Sequence, residues 1–251
     1  MSKRVKLFWA SFWVIFVISF TITSLSLLFY ALGLNFNYKT GKITQTSILM
    51  VSSVPSRAEV FFDNKQSPTP AKFNRILPGR YHLAVSLPDF QSWEKDIELL
   101  PGEVLRLNDA LLIYKEPKII DSTNQNPISL TYLDPQKFEL ADVEQVSLSP
   151  DGNFLAYKKS NEVWLKDLNN DEYQLVTRFS RTDFSSLQWH ADSSHLFVLY
   201  QGKIQILDLD GANLREVAIS PDADKPFETK QDSKIIRFYE NGKIKEGTID
   251  S

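Results

Sequence analysis

The chain contains no cysteine, so disulfide staples, thiol nucleophiles, zinc–cysteine sites and thiolate-held clusters are excluded from the outset. Histidine is nearly as rare, with His82, His190 and His195 the only three. Glycine is scarce, 9 residues in 251, and no phosphate-cradling glycine loop occurs. There is no G-x-S-x-G elbow and no lysine or serine motif of the penicillin-binding type. These gaps remove the familiar routes to nucleophilic and phosphoryl chemistry. The expectation is a protein that is not an enzyme, with no catalytic, cofactor-binding or metal-binding residue and no cofactor. Excess positive charge is also lacking. Setting aside Lys3, Arg4 and Lys6 leaves 25 basic against 31 acidic residues, a net charge near -6. A nucleic-acid partner, which calls for a basic face, is not expected.

What the sequence does have is one long uncharged run, Leu7 to Leu34. As a helix rising 1.5 Å per residue it would be roughly 42 Å long. That exceeds a hydrocarbon core of about 30 Å, so it spans with tilt to spare. Lys3, Arg4 and Lys6 precede it, and no acidic residue comes before Glu59. The positive flank predicts a cytoplasmic N-terminal tip (1–6), a transmembrane helix (7–34) in contact with the lipid bilayer, and everything after it outside. Trp9, Trp13, Tyr30 and Tyr38 stand near the two ends, as interfacial aromatics do. A cleaved signal peptide is the rival reading. Its apolar core would be about 7–15 residues with a small-x-small cleavage site, and Tyr30-Ala31-Leu32-Gly33 is a poor one. The anchor is favoured, which places the chain as a single-pass protein of the cell membrane with extracytoplasmic domains.

Residues 35–46 are polar and without an apolar period, and read as a tether. From Ser47 the texture changes to short β runs: 47–53, 58–62, 80–86, 90–100 and 103–114. Proline and glycine turns separate them, at Pro55-Ser56, Pro68-Thr69-Pro70, Pro78-Gly79, Pro88-Asp89 and Pro101-Gly102. In 90–100, Trp93, Ile97 and Leu99 alternate with Glu94, Asp96 and Glu98. Regularly spaced short strands with such turns predict a small all-β sandwich over 47–114.

Several motifs in this stretch resemble PEGA domains. Val54-Pro55-Ser56-Arg57-Ala58-Glu59-Val60 is similar to that family's opening, and Asp63-Asn64-Lys65 to its D-G-K turn. Thr69-Pro70, Leu77-Pro78-Gly79-Arg80-Tyr81, Pro88-Asp89-Phe90 with Trp93, and Leu100-Pro101-Gly102-Glu103 follow in the family's order. Asn64, Ser67 and Asp89 stand where glycine is usual; Asn and Asp tolerate positive φ better than other side chains. The resemblance implies a small extracytoplasmic β-sandwich in envelope proteins that binds other surface material. It carries no catalytic residues.

Residues 115–127 are polar and proline-flanked, and read as a linker in which Ile119-Ile120 can begin a strand. The remainder, 128–251, repeats. Val146, Leu148, Asp151, Leu155, Val163, Leu165, Asp167 and Leu168 recur 41 residues later as Leu187, Trp189, Asp192, Leu196, Ile204, Ile206, Asp208 and Leu209. A fainter third copy runs through Asp232-Ser233-Lys234, Ile236 and Gly242-Lys243-Ile244. A period of 40–45 with strand–turn–strand content marks propeller blades. Ser149-Pro150-Asp151-Gly152-Asn153-Phe154-Leu155-Ala156-Tyr157 resembles the TolB-like and WD-like propeller repeat. Residues 116–251 hold about three blades, whereas closed propellers use 4–8. An incomplete propeller leaves open edges and an uncovered channel, to be closed by copies of itself, by a partner, or not at all.

Two constellations invite a metal. His190, Asp192 and His195 fall together, but the repeat places them on a turn and the following strand entry, where a turn aspartate is expected for structural reasons. Asp151, Asp167, Asp192, Asp208 and Asp210 include Asp208-Leu209-Asp210-Gly211, the nearest approach to a calcium loop, more simply read as a strand-end turn. His82 reads as a surface or edge residue of the sandwich. The function expected is therefore binding: an anchored envelope protein that presents sandwich and repeats to an envelope polymer or protein. The alternative is a structural assembly subunit whose open blades pair with copies of itself or a partner. An envelope hydrolase is the weakest reading.

Overall fold

The computed structural model describes residues 3–37, 41–181, 184–222 and 224–250. Met1 and Ser2 of the expected tip, and Tyr38 of the expected interfacial aromatics, lie outside them. The chain opens with one long helix, α1 (Lys3–Ala31), and the elements described after it are strands apart from one short 3-10 turn, Pro135–Phe138. Ser11–Ala31 is long and apolar enough to cross a membrane, and none of its apolar window is buried by the rest of the protein. Trp13, Ile15 and Phe20 stand 56–67% exposed, a state that water disfavours along a whole helix.

Where a tether is expected, residues 35–46 instead form part of a hairpin of β1 (Leu34–Asn37) and β2 (Lys42–Gln45). Each strand is only four residues, too short to show a period against the polar background. The sandwich follows as β3 (Ser47–Val54), β4 (Glu59–Phe62), β5 (Lys65–Pro68), β6 (Ala71–Ile76), β7 (Gly79–Ser86), β8 (Trp93–Leu99) and β9 (Val104–Leu111). One sheet runs β6-β3-β9, with β3 and β9 parallel, and the other β5-β4-β7-β8. Alternate residues of β3, β4, β7 and β8 point inward. Leu49, Val51, Val60, Phe62, Leu83, Val85, Trp93, Ile97 and Leu99 build one shared core.

The expected linker 115–127 contains strand β10 (Lys118–Asp121), built on Ile119-Ile120. It pairs with the last strand of the chain, and Asp121 meets Lys245 across the ladder at 2.7 Å. The first blade-like sheet is β11 (Gln145–Leu148), β12 (Phe154–Lys159), β13 (Glu162–Asp167) and β14 (Tyr173–Arg178). The second is β15 (Phe184–Trp189), β16 (His195–Tyr200), β17 (Lys203–Asp208) and β18 (Arg215–Ile219). The third joins β19 (Glu228–Lys230), β20 (Ile235–Glu240) and β21 (Lys243–Thr248) to β10. The fold is thus all-β beyond α1: a sandwich, then three four-stranded antiparallel sheets.

The second sheet is packed on both faces, which explains the unbroken apolar run Leu196–Leu199 in β16. Leu196 and Val198 join the core shared with the first sheet, while Phe197 and Leu199 join the core shared with the third. The same division couples sandwich to sheets. Ala110 and Leu112 belong to the sandwich core, whereas Leu111 and Ile113 belong to the core of the second and third sheets.

The segment before the first of these sheets links all three. Residues 128–143 touch each sheet in turn. Ile128 N–H donates to the Tyr239 hydroxyl (3.0 Å), the Tyr132 hydroxyl meets Ser186 Oγ (3.1 Å), and Leu133 N–H donates to Val146 O (2.9 Å). Phe138, Leu140 and Val143 then cover Val146, Leu155 and Tyr157 on the first sheet.

Candidate functional site

The titratable side chains converge where the sandwich meets the second sheet. Trp93 and Lys95 come from β8, Asp208 ends β17, His195 begins β16, and His190 and Asp192 flank the turn before it. The turn forms for a local reason: His190 N–H donates to His195 O, the same bond that Ser149 makes with Phe154 one repeat earlier. It holds both histidines against Asp192. His195 Nδ1 donates to Asp192 Oδ2 at 2.7 Å, and His190 Nδ1 lies 3.0 Å from Asp192 Oδ1 while accepting the Asp192 N–H at 3.2 Å. His195 Nε2 faces Asp208 Oδ1 at 3.3 Å. Asp208 Oδ2 in turn accepts Trp93 Nε1–H and Asn213 Nδ2–H, each at 3.0 Å.

Charge is partly enclosed here. His195, Asp208 and Trp93 are essentially inaccessible, while Asp192, with about a third of its side chain exposed (35%), reaches solvent. Burial opposes a charged His195, but the Asp192 and Asp208 carboxylates outweigh it and lift its pKa to about 9. For Asp192, burial raises the pKa, and the two histidines more than reverse this and hold it well below the usual carboxylate range. Lys95, also pulled down by burial, ends raised because Asp210 (2.8 Å), Asp109 (3.7 Å) and Asp208 (3.8 Å) surround its ammonium. Burial lowers the Arg215 guanidinium to about 10, against the opposing charge of Asp208. Its Nη1 donates to Leu111 O at 2.7 Å, tying the second sheet to the end of β9.

As geometry, this is a buried imidazole between two carboxylates, one of which accepts from an indole. His190, Asp192 and His195 are also the residues that could hold a metal ion, since one ligand atom from each lies within 4.8 Å of the others. The calcium reading of Asp208 and Asp210 meets a cation already present, because the Lys95 ammonium occupies the space between them. The other aspartates are apart. Asp151 accepts from Ser149 Oγ (2.6 Å) and the Asn153 N–H (3.1 Å), and Asp167 accepts from the Asn169 N–H (2.8 Å), each within its own turn. His82 sits on β7, exposed, between Asp96 (2.8 Å) and Glu94 (3.5 Å).

Sequence reasoning missed Trp93 and Lys95 as members of this cluster. The signal was there in Trp93-Glu94-Lys95-Asp96-Ile97-Glu98-Leu99: a lysine stands on the inward parity of an otherwise apolar face.

This architecture defines a class: an all-β body of sandwich plus repeated sheets, preceded by one apolar helix. Within it, residues 46–112 match the PEGA domain family. Three solved structures are similar at low identity. An acylaminoacyl peptidase in complex with Z-Gly-Gly-Phe-chloromethyl ketone is 13% identical (TM-score 0.28), with 63% of this chain and 23% of that one covered. Porphyromonas gingivalis dipeptidyl peptidase 4 is 13% identical (0.30; 74% and 28% covered). An auxiliary nutrient binding protein from Bacteroides thetaiotaomicron is 11% identical (0.29; 74% and 50% covered). The chain therefore spans a quarter to a half of the length of these proteins. No curated protein matches it.

Proposed function

We propose that the protein is a membrane-anchored binding protein of the cell envelope. In this reading α1 is a signal anchor with its N-terminus in the cytoplasm, and the sandwich and the propeller-like sheets lie outside. The observation that carries it is the pairing of an apolar helix left bare by the rest of the protein with a PEGA match on the adjoining sandwich. Recognition then falls to loops and strand edges of a stiff β scaffold. The non-enzymatic part of the reading rests on burial: of the four side chains His190, Asp192, His195 and Asp208, all but Asp192 are buried.

The test uses the full chain in lipid nanodiscs, passed over purified cell-wall polymer and, separately, over a solubilised envelope-protein fraction with crosslinking. Specific retention on either supports binding. Retention on neither, together with recovery of the chain alone, removes the proposal.

A further inference from the structure

The foot of the helix is built, not loosely tethered. Only Leu32 and Gly33 separate α1 from β1, with Gly33 at φ +66 reversing the chain. Thr46, just past β2, returns to the same place: its N–H and its hydroxyl both donate to Gly33 O at 2.8 Å. The next residues are locked as well, with Ser47 Oγ donating to Leu100 O (2.6 Å) and Ile48 N–H to Glu103 O (2.8 Å). On the other side, the Arg75 guanidinium lies 4.3 Å over the Tyr30 ring. The last turn of α1, the hairpin root and the 100–104 loop are one joined unit.

That unit carries apolar surface where a soluble body would not. Hairpin pairing puts Leu34 opposite Gln45 and Phe36 opposite Ile43, so Leu34, Phe36 and Ile43 share a face with Gln45, while Asn35, Lys42 and Thr44 take the other. Phe36 and Ile43 are about half exposed, at 45% and 55%. A two-stranded ribbon with an apolar face is marginal in water without a cover. Leu32 in the adjoining turn, Leu100 in the adjoining loop and Val104 at the start of β9 are 49–58% exposed too.

Position names the cover. If Ser11–Ala31 spans, Tyr30 stands in the headgroup layer, where tyrosine and arginine favour the lipid boundary. Phe36 and Ile43 lie two residues along their strands from the hairpin root at Leu34 and Gln45, about 7 Å, comparable to the roughly 5–8 Å depth of one headgroup layer. We infer that the β1–β2 hairpin, with Leu100 and Val104, is a foot that rests in the headgroup layer of the leaflet from which α1 emerges. Its partner is the lipid surface, and the sandwich stands on the bilayer at a fixed distance and tilt.

This inference rests on the reading of α1 as a membrane span, and the experiment separates the two. The chain has no cysteine, so single labels are clean. Full-length protein carrying Phe36→Cys, Ile43→Cys or Leu100→Cys is labelled with an environment-sensitive fluorophore and placed in nanodiscs with nitroxide-headgroup lipid. Leu25→Cys reports the span, and Tyr173→Cys reports a remote exposed site of the first blade-like sheet. The expected result is blue-shifted emission at the foot, quenched several-fold more than at Tyr173→Cys. Foot labels no more quenched than Tyr173→Cys, beside a lipid-buried Leu25→Cys, overturn the foot and leave the span standing. A water-exposed Leu25→Cys overturns both.

Discussion

Trp93 of the sandwich donates its indole Nε1–H to Asp208 of the second blade-like sheet at 3.0 Å, across a boundary that the sequence divides into separate domains. Both side chains are buried, so the bond is made away from water, where an unsatisfied carboxylate oxygen is costly. Glu94 N–H to Asn213 (2.9 Å) and Gln91 Nε2–H to Glu216 O (2.8 Å) flank it. The two parts are built as one piece.

Replacing Trp93 by Phe keeps an aromatic in the sandwich core and removes the donor. Asp208 then loses a buried hydrogen bond, and stability should fall by about 1.5–3 kcal/mol, the range for bonds to charged groups. Equilibrium urea unfolding checks this; an unchanged midpoint would mean that the indole bond contributes nothing.

His195 makes the protein alkali-sensitive. Its pKa is 6.5 when free and about 9 when folded, between Asp192 and Asp208. A raised base contributes stability that is fully present below pH 6.5 and is lost as pH rises through 9. Across that window the loss approaches ~1.4 kcal/mol per pH unit from this group. Thermal melts between pH 6 and 10 should show the decline, and His195→Asn should be less stable at low pH and flatter across the window. A wild-type profile as flat as the variant's would refute the buried imidazolium.

Ser193 and Ser233 occupy left-handed backbone (φ +60 and +69) at the repeat position that Gly152 (φ +77) fills in the first sheet. Each serine hydroxyl accepts a backbone N–H from the preceding sheet, Asp151 for Ser193 (3.1 Å) and Ala191 for Ser233 (3.0 Å). Gly152, with no earlier sheet to meet, faces open space. Ser193→Ala therefore loses the bond and keeps the strain, costing about 1 kcal/mol, whereas Ser193→Gly loses the bond but relieves the strain and should be closer to neutral. Equal losses on calorimetry would contradict this trade.

Gly211 (φ +81) lies where the turn after β17 meets β14, and a Cβ there would sit 2.0 Å from Val176 O. The first and second sheets must separate to admit it. Gly211→Ala should cost on the order of 4 kcal/mol, at the severe end for single substitutions. A melting point within a degree or two of wild type would show that the contact gives way freely.

The repeat was legible because each copy spells its own hairpins. Phe154, His195 and Ile235 open equivalent central strands. The two-residue turns at Gln201-Gly202 and Asn241-Gly242 have positive φ at both positions, the geometry that such hairpins require. The sandwich was legible from its alternation, with Trp93, Ile97 and Leu99 inward as the pattern predicts. The hairpin at 34–45 was not, because four-residue strands give no period to read. The site was half legible: His190, Asp192 and His195 are neighbours in sequence, while Trp93 and Lys95 reach Asp208 across more than a hundred residues.

The sequence by itself determined the bare helix, the β character of everything after it, and the 41-residue rhythm. Each is local, set by the polarity and turn chemistry of neighbouring residues. Only the tertiary structure decided that Lys118–Asp121 completes the last sheet, that 128–143 runs past all three sheets, and that residues 110–113 are divided between two cores. Those outcomes depend on which distant surfaces meet, and buried area, unlike periodicity, leaves no mark on a short stretch of chain.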